Sequence, residues 1–393
     1  MNNADWGLRG QLITNHIKSQ IMQGQWAPGQ KLPSARRLAQ EYGVCIETVR
    51  NALRELNGQG LVVTRPRSGT VVSERQATNV PTASKDVAYV RLLNLEQVPG
   101  RHASDDILHT LEAPLLERGL HLSLVTQPPQ APQRARLMAQ RLEKMLPQLA
   151  GVILQRPPAD LLEAILPLLD QHKMPFLILG RRSHQDMNNY LDPDFIGMGI
   201  VIGRYLASIG AKRILLPGLS FTEAHHYSGV LRYQGILEGY LQLEHTPPEF
   251  IPLTCQAVTE RECYEQTKKW LAGRRQMPDA IVAHGDSMAM GAMTACQERG
   301  LRIPQDIVVF GTSGLAAAAY CSPTLTTADQ QQPVIAQTAA EMLSDMIRNQ
   351  QMICHGRFTP VRFHFRQSAP MRDEARKALA SAIQDGLIDV EDK

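Results

Sequence analysis

The 393-residue sequence lacks the features that mark membrane, secreted and disulfide-rich proteins. No run of about eighteen apolar residues occurs in it, so no membrane-spanning helix is expected. Its first residues show no basic start followed by an apolar core, so we expect no signal peptide. The six cysteines form no C-x-x-C pair, which indicates neither a zinc site nor a disulfide framework and fits the reducing cytoplasm.

Motifs that carry catalysis are also missing. The sequence has no G-x-S-x-G elbow, no glycine-rich phosphate loop with a lysine, and no H-E-x-x-H pair. The segments "HASDD" and "AHGDS" bring His, Ser and Asp together, but adjacency along the chain is not the geometry of a catalytic triad. We therefore expect no enzyme, no metal and no cofactor. An apolar content of 43% and this length are typical of a globular protein with two or three domains.

A pair of short helices is predicted within residues 32–56. Gly43 is expected to end the first helix, because only glycine adopts a left-handed backbone at no steric cost. One face of the second helix has the i, i+3, i+4, i+7 apolar spacing of a helix that packs on a core. A short helix with a polar, Arg-bearing opposite face suits the DNA major groove. The apolar face holds Val49, Ala52, Leu53 and Leu56, and the polar face holds Glu47, Arg50, Asn51 and Arg54.

The flanking segments complete a winged helix-turn-helix over residues 1–73. A first helix is predicted over about 8–23, and two strand-like runs, "GLVVTR" and "GTVVSE", follow residue 56. Arg65 and Arg67 fall at the tip of the predicted wing. Residues 1–75 contain ten Lys and Arg against five Asp and Glu, whereas the whole chain has a net charge of only +3. The positive charge is therefore concentrated where DNA phosphates would lie.

This stretch resembles the DNA-binding domain of the GntR family of bacterial transcription regulators. The resemblance implies that Arg36 and Arg50 contact DNA and that Gly69 enters the minor groove. The matching residues are Gly24, Trp26, Pro28, Gly29, Leu32, Pro33, Ser34, Arg36, Leu38, Ala39, Val44, Thr48, Val49, Arg50, Ala52, Leu53, Gly60, Leu61, Gly69 and Val72. The residues expected at DNA are Lys31, Ser34, Arg36, Thr48, Arg50, Arg65, Arg67 and Gly69.

One position departs from the family pattern. Members usually have Ser-Arg after the valine that matches Val44, and this chain has Cys45 and Ile46. We expect the usual cap of the second helix to be lost or weakened, because Ser is a strong N-cap residue. One base-reading Arg is absent, so the preferred operator sequence is expected to differ from the common one.

Residues 74–85 are small and polar, and we expect them to form a linker. From Asp86 onward, apolar strands alternate with helices, which predicts an α/β fold with parallel sheets covered on both faces. Two such halves predict two lobes over 86–370 with a cleft between them. Ligands bind such sheets beyond the carboxyl ends of the strands. Residues 371–393 are expected to form a solvated tail that can be partly helical.

The segment "DAIVAHGDSMAMGAMTACQERGLRIPQDIVVFGTSG" resembles the core of LacI-type regulators, which share the type I periplasmic-binding-protein fold. "SPTLTTADQ" and "LRYQGILEGY" extend the resemblance, which covers about 86–347. A GntR-type head on a LacI-like body is the arrangement of the arabinose-repressor-like subfamily. The matching residues of the long segment are Asp286, Ala289, Gly291, Gly300, Pro304, Asp306 and Gly311.

Seven residues are candidates for contact with an effector. Asp286 follows a strand, so its carboxylate could accept hydroxyl hydrogen bonds from a sugar or could cap the next helix. Arg232 offers a planar fork of donors or is a surface charge. Ser313 stands where many members carry a ligand-binding Asp in "GFDD", and this departure leaves the effector class open. Asp192 matches a ligand-side Asp within one residue, or shapes a loop. The resemblance adds His226, Ser228 and Ser104.

These observations predict a cytoplasmic DNA-binding transcription regulator, most simply a repressor. It is expected to act as a homodimer on double-stranded operator DNA, with no membrane partner. A small-molecule effector, a sugar in the first instance, is expected between the two lobes. The alternative is a corepressor-dependent regulator with a non-sugar ligand such as a nucleobase. The first 75 residues argue against an enzyme and against a binding protein without a DNA function.

Overall fold

The computed structural model describes residues 13–14, 16–17, 20–21, 26–27, 29–58, 61–65, 69–72, 85–91, 107–126, 133–180, 188–218, 227–273, 275–385 and 387–389. The chain divides into two compact units, Met1–Ser84 and Lys85–Lys393. Among the described residues, no helix is both long and apolar enough to cross a membrane. The two units, here called the head and the body, are each described separately.

The head is a winged helix-turn-helix. Helix α1 is described at residues 13–14, 16–17 and 20–21, and it is followed by α2 (Ala35–Glu41) and α3 (Ile46–Gly58). Strands β1 (Val62–Arg65) and β2 (Gly69–Val72) pair antiparallel to form the wing. The predicted stripe is confirmed, because the side chains facing the head core are at most 6% exposed. They are Ile13, Ile17, Ile21, Val49, Ala52, Leu53 and Leu56.

Local chemistry sets the turn between α2 and α3. The Ser34 hydroxyl accepts a hydrogen bond from the Arg37 amide at 3.3 Å and so caps α2. Gly43 has a φ of +63°, the left-handed backbone that the sequence predicts there. After this turn, α3 begins with its apolar stripe facing α1 and α2.

The first lobe of the body is built on a six-stranded parallel sheet in the order β13-β7-β6-β5-β3-β4. Its strands are nearly all apolar, as expected for a sheet covered on both faces. They are β3 (Asp86–Val90), β4 (His121–Val125), β5 (Leu149–Gln155), β6 (Phe176–Leu179), β7 (Tyr190–Pro193) and β13 (Arg357–Thr359). Its helices are α4 (Ile107–Glu117), α5 (Arg134–Met145), α6 (Ala159–Gln171) and α11 (Gln332–Asn349), with a 3-10 turn at Leu146–Gln148.

The second lobe has a seven-stranded sheet in the order β15-β14-β12-β11-β10-β8-β9. All of its pairings are parallel except that between β12 and β14. The strands are β8 (Arg213–Pro217), β9 (Glu249–Leu253), β10 (Ala280–Val282), β11 (Val308–Gly311), β12 (Thr326–Asp329), β14 (Arg362–His364) and β15 (Ile388–Asp389). The helices are α7 (Phe195–Ser208), α8 (Tyr227–Gln242), α9 (Glu260–Ala272), α10 (Asp286–Glu298), α12 (Asp373–Ala378) and α13 (Ala380–Gln384).

The predicted α/β class is confirmed, but the two lobes are not two consecutive halves of the chain. The chain passes to the second lobe after β7, returns to the first for α11 and β13, and crosses again to β14. Helix α11 is amphipathic and packs on the first sheet through Ile335, Ala339 and Leu343. An amphipathic pattern identifies a buried face without naming the sheet that covers it, so the sequence did not reveal this interleaving.

The alternative that Asp192 shapes a loop was wrong, because its segment "YLDP" forms strand β7. Helix α7 follows from Phe195. Asp194 caps α7 by accepting a hydrogen bond from the Gly197 amide at 2.8 Å. This cap satisfies an amide of the first turn and so favours a helix start at Phe195.

The prediction of a solvated tail was also wrong. Helices α12 and α13 pack on the second lobe, where Ala375 and Leu379 are fully buried. Strand β15 then pairs with β14, with Phe363 opposite Ile388. The sequence indicated that the tail could be helical, and the structure shows that the apolar side of these helices packs on the second lobe.

Candidate functional site

The outer face of α3 presents a small network of charged side chains. Arg50 and Arg54 remain 62% and 69% exposed, and both form ion pairs with Glu47, at 3.2 Å and 3.5 Å. Arg54 also donates a hydrogen bond to Asn51 at 2.7 Å. Exposed ion pairs of this kind contribute little to stability, on the order of 0–1 kcal/mol. The two guanidinium groups can therefore exchange Glu47 for a phosphate or a base edge at small cost.

The other predicted contacts of the helix-turn-helix differ in exposure. Arg36 is exposed on the first turn of α2, next to the capping Ser34. Thr48 is only 7% exposed, and its hydroxyl lies 3.2 Å from the Cys45 sulfur. Ser34 and Thr48 thus both stabilise helix starts in the free protein, and a contact of either with DNA stays a prediction.

The wing brings Lys31 and Gly69 together. Gly69 has a φ of +88°, and a Cβ placed on it would lie 2.8 Å from Lys31 Cε. The Lys31 backbone forms an isolated antiparallel bridge with Val71 on β2. Glycine at this position leaves room for a cation beside the exposed backbone. The Arg65 backbone pairs with Gly69, whereas Arg67 lies outside the described residues.

The Cys45 sulfur occupies the cap position of α3. The Thr48 hydroxyl, followed by hydrogen bonds from the Thr48 and Glu47 amides, lowers the pKa of the Cys45 thiol. These contacts are those of an N-cap, with sulfur in place of the usual hydroxyl. The expected cap is therefore replaced by a weaker acceptor.

In the body, Asp286 lies at the start of α10 and is fully buried. Its Oδ1 accepts hydrogen bonds from the Ser313 amide at 2.9 Å and the Thr327 hydroxyl at 2.6 Å. Its Oδ2 accepts one from the Leu315 amide at 2.7 Å. Burial raises the pKa of this carboxyl, and the hydrogen bonds partly oppose the shift. The carboxylate thus joins α10 to the loop after β11 and to β12, and direct contact with an effector stays a prediction.

Arg232 projects from α8 towards the ends of β10 and β11, and it is only 5% exposed. Its guanidinium donates to the Thr312 hydroxyl, to the Ala283 carbonyl at 3.4 Å and to His284 Nδ1 at 3.2 Å. All of these partners are neutral acceptors, provided that His284 is unprotonated at Nδ1. Burial, and then the positive charge of Arg156, lowers the pKa of Arg232 to about 10.

The position of Arg232 follows from unusually close packing of α7 against α8. A Cβ placed on Gly199 would lie 2.3 Å from the Arg232 carbonyl oxygen, and one on Gly235 would lie 2.2 Å from the Ile196 carbonyl oxygen. Glycine at these positions lets the two backbones touch. The helix that carries Arg232 is therefore held firmly beside the sheet.

A cavity that is partly open to solvent lies at the carboxyl ends of the strands in the second lobe. Its polar wall is formed by Arg232 and His284, and its apolar wall includes Leu216, Val282 and Ile236. This is where open α/β sheets bind ligands.

The remaining predicted effector residues are placed differently. Asp192 is 1% exposed on β7 in the first lobe, where its backbone pairs with Phe358 of β13. Ser228 is half-buried on the first turn of α8, and Ser313 is buried in the loop held by Asp286. His226 and Ser104 lie outside the described residues.

The sequence analysis missed three residues that interact with Arg232. Thr312 and His284 bind Arg232, and Arg156 directly follows β5. Arg156 could have been found, because a charged residue directly after an apolar strand marks the ligand edge of a parallel sheet. The roles of Thr312 and His284 depend on where Arg232 points, which the sequence does not reveal.

Each of the two units contains a segment that matches a known family. Residues 10–72 match the bacterial regulatory proteins of the gntR family, and residues 204–369 match the periplasmic binding protein-like domain. The chain thus joins a segment that matches the gntR family to one that matches the periplasmic binding protein-like domain. The resemblances recognised in the sequence are thereby confirmed.

A relative and two solved structures are similar to about two thirds to three quarters of this chain. The HTH-type transcriptional repressor PurR of Pectobacterium carotovorum is 28% identical over 252 residues, covering 64% of this chain and 71% of the relative. A LacI family regulator from Enterococcus faecium with bound ribose aligns with a TM-score of 0.58 and 20% identity, over 73% of this chain and all of that chain. The lac repressor dimer bound to operator aligns with a TM-score of 0.60 and 20% identity, over 76% and 97% of the two chains. These structural likenesses establish the two-lobed fold of the body.

Proposed function

We propose that this chain is a DNA-binding transcription regulator, most simply a repressor, whose operator binding is controlled by a small molecule bound between the lobes. The observation that carries the proposal is the exposed arginine face of α3 in a gntR-type head. A regulator of this kind works on the chromosome, so the proposal places the chain in the cytoplasm.

The head would bind DNA through groups that differ in role. Arg50, on the exposed face of α3, would contact base edges in the major groove, where arginine pairs with guanine. Arg36 and Lys31 would hold phosphates, and Gly69 would let the wing backbone approach the minor groove. Glu47 pairs with Arg50 and Arg54 in the free head and would release both arginines when DNA binds.

The proposed assembly is a homodimer on a pseudo-palindromic operator. A single head reads few base pairs, and two-fold symmetric DNA calls for a two-fold symmetric protein. The body offers a suitable anchor in Tyr320, whose side chain is 87% exposed beside the exposed Ala316 and Ala317. Large exposed aromatic residues are enriched in interfaces. Sedimentation of the wild type and of Tyr320→Ala tests this. The dimer of the variant should dissociate at a higher protein concentration than that of the wild type.

The effector would bind in the cavity beside Arg232. A sugar is the first expectation, because two-lobed structures of this kind include a regulator with bound ribose. A nucleobase acting as corepressor is the alternative. In either case, a ligand that contacts both lobes would favour their closed arrangement and thereby change operator affinity.

The DNA-binding part of the proposal is tested without knowledge of the target genes. The full-length protein is used to select duplexes from a random-sequence pool, and the enriched duplex is then titrated at several salt concentrations. We expect a two-fold symmetric site whose affinity falls steeply with salt, since binding releases counterions from phosphates. Absence of an enriched sequence from the wild-type protein would refute the proposal.

A further inference from the structure

Each lobe places an arginine at the ligand edge of the body. In the second lobe, Arg232 lines the cavity, and no described carboxylate forms an ion pair with it. Asp286 lies at the same edge, but both of its oxygens accept hydrogen bonds from the protein itself. Both oxygens are therefore already occupied by groups of the protein.

Arg156 supplies the second charge from the first lobe. It directly follows β5 and is exposed, and its amide donates a hydrogen bond to the Leu179 carbonyl at 2.8 Å. Its backbone is left-handed, with a φ of +43°. A Cβ on the neighbouring Gly180 would lie 2.8 Å from Arg156 Cγ, so glycine leaves the space that the arginine stem occupies. The position of this side chain is thus built into the ends of two adjacent strands.

The two arginines act on each other across the lobes, since the charge of Arg156 disfavours the protonated form of Arg232. The segment "GTSG", which begins at the last residue of β11, adds no carboxylate at this edge. A buried cation without a charged partner is costly unless a ligand supplies the opposite charge. A neutral sugar would leave that cost in place.

We propose that the effector is a small organic anion, such as a sugar phosphate or a sugar acid, whose charged group lies between Arg156 and Arg232. This inference rests on the proposed function and narrows its ligand class. The anion would replace repulsion between the lobes with attraction to both arginines, so its binding favours closure. Guanidinium groups suit this role, because their planar forks match phosphate and carboxylate oxygens.

Inorganic phosphate is the first probe. Thermal unfolding of the full-length protein is followed in 10 mM sodium phosphate and in sodium chloride of equal ionic strength. Phosphate should raise the unfolding midpoint by about 2–5 °C in the wild type, because a ligand that binds only the native state stabilises it. Arg156→Gln should lose most of this shift. Arg299→Gln removes an exposed arginine at the end of α10 and should retain it.

Matched pairs of neutral and anionic sugars then show whether the charged group or the sugar itself determines binding. Ribose is compared with ribose 5-phosphate, and glucose with gluconate and glucose 6-phosphate. The proposal expects each anionic member to bind at least tenfold more tightly than its neutral partner, with the preference lost in Arg156→Gln. Equal binding of a neutral sugar, an absent phosphate shift, or a shift that persists in Arg156→Gln overturns it. The wild-type duplex selection described above is independent, so loss of DNA binding would instead contradict the proposed function.

Discussion

Gly311 lies so close to Asp286 that a Cβ at this glycine would be 2.2 Å from the carboxylate oxygen Oδ1. No real Cβ approaches an oxygen this closely, so only glycine lets β11 end beside the buried carboxylate. The relationship makes Gly311 part of the support beneath the loop that carries Thr312 and Ser313. Through Thr312, the same loop holds Arg232.

Replacement of Gly311 should therefore disturb the loop. We expect Gly311→Ala to destabilise the body by about 1–3 kcal/mol, the usual cost of overpacking a dense interior. Urea unfolding monitored by tryptophan fluorescence measures the change, with Trp270 reporting on the body and Trp6 and Trp26 on the head. Gly273→Ala is the matched control, because nothing lies within 4 Å of a Cβ at Gly273. Equal stability of the two variants would contradict the close contact.

Asp286 should behave as a structural residue in its own variants. Asp286→Ala leaves three donors without an acceptor, two of them buried, and a buried unpaired donor costs on the order of 1–3 kcal/mol. We expect a large loss of stability, and a smaller one for Thr327→Val, which removes the hydrogen bond to Asp286 and the one from the Gly314 amide. Calorimetric unfolding and ligand titration should be performed on the same preparations. A stable Asp286→Ala protein with weakened ligand binding would instead assign this carboxylate to the effector.

Arg50 should carry sequence recognition by the head. Arg50→Ala should weaken binding to the selected duplex by about 1–3 kcal/mol, the discrimination expected of one bidentate base contact. The loss should be smaller on a duplex altered at the base that Arg50 reads. Gel-shift titration of both duplexes gives the comparison, with circular dichroism as the check on folding. Unchanged affinity of a folded variant would remove Arg50 from the interface.

Cys45 should be the most reactive thiol of the chain. Hydrogen bonds at the start of α3 lower the pKa of this exposed thiol, whereas Cys255, whose pKa is also lowered, is only partly exposed. Burial raises the pKa of Cys296 to about 12. A lowered pKa increases the thiolate fraction at a given pH, so iodoacetamide should modify Cys45 first at near-neutral pH. The selected duplex should protect it, because α3 would then face DNA. Peptide mass mapping measures both rates, and equal labelling with and without DNA would contradict this placement of α3.

The sequence revealed most of the head and the alternation of the body. The stripe ending at Leu56 and the turn at Gly43 are local signals, and the structure realises both. The return of α11 to the first lobe is a long-range feature, because its apolar face fits either sheet. The tail was misjudged for the same reason, since Leu379 shows an apolar side without showing what covers it.

The effector site was less predictable than the fold. The position of Asp286 after a strand was recognised, but the direction of its carboxylate depends on Thr327, forty-one residues later. Arg232 was recognised through its family segment, and the structure adds its partners Thr312 and His284. Residue type indicates which side chains can bind a ligand, whereas their partners in the fold decide whether they remain available.

The most direct test of the account is the affinity of the full-length protein for its selected duplex, with and without a saturating ligand found in the binding screen. The account predicts a change of about 5–150-fold, as expected for allosteric coupling, and an equal change in ligand affinity when the duplex is bound. A decrease identifies an inducer and an increase a corepressor. A ligand that binds the body while leaving duplex affinity unchanged would contradict the claim that the cleft controls the head.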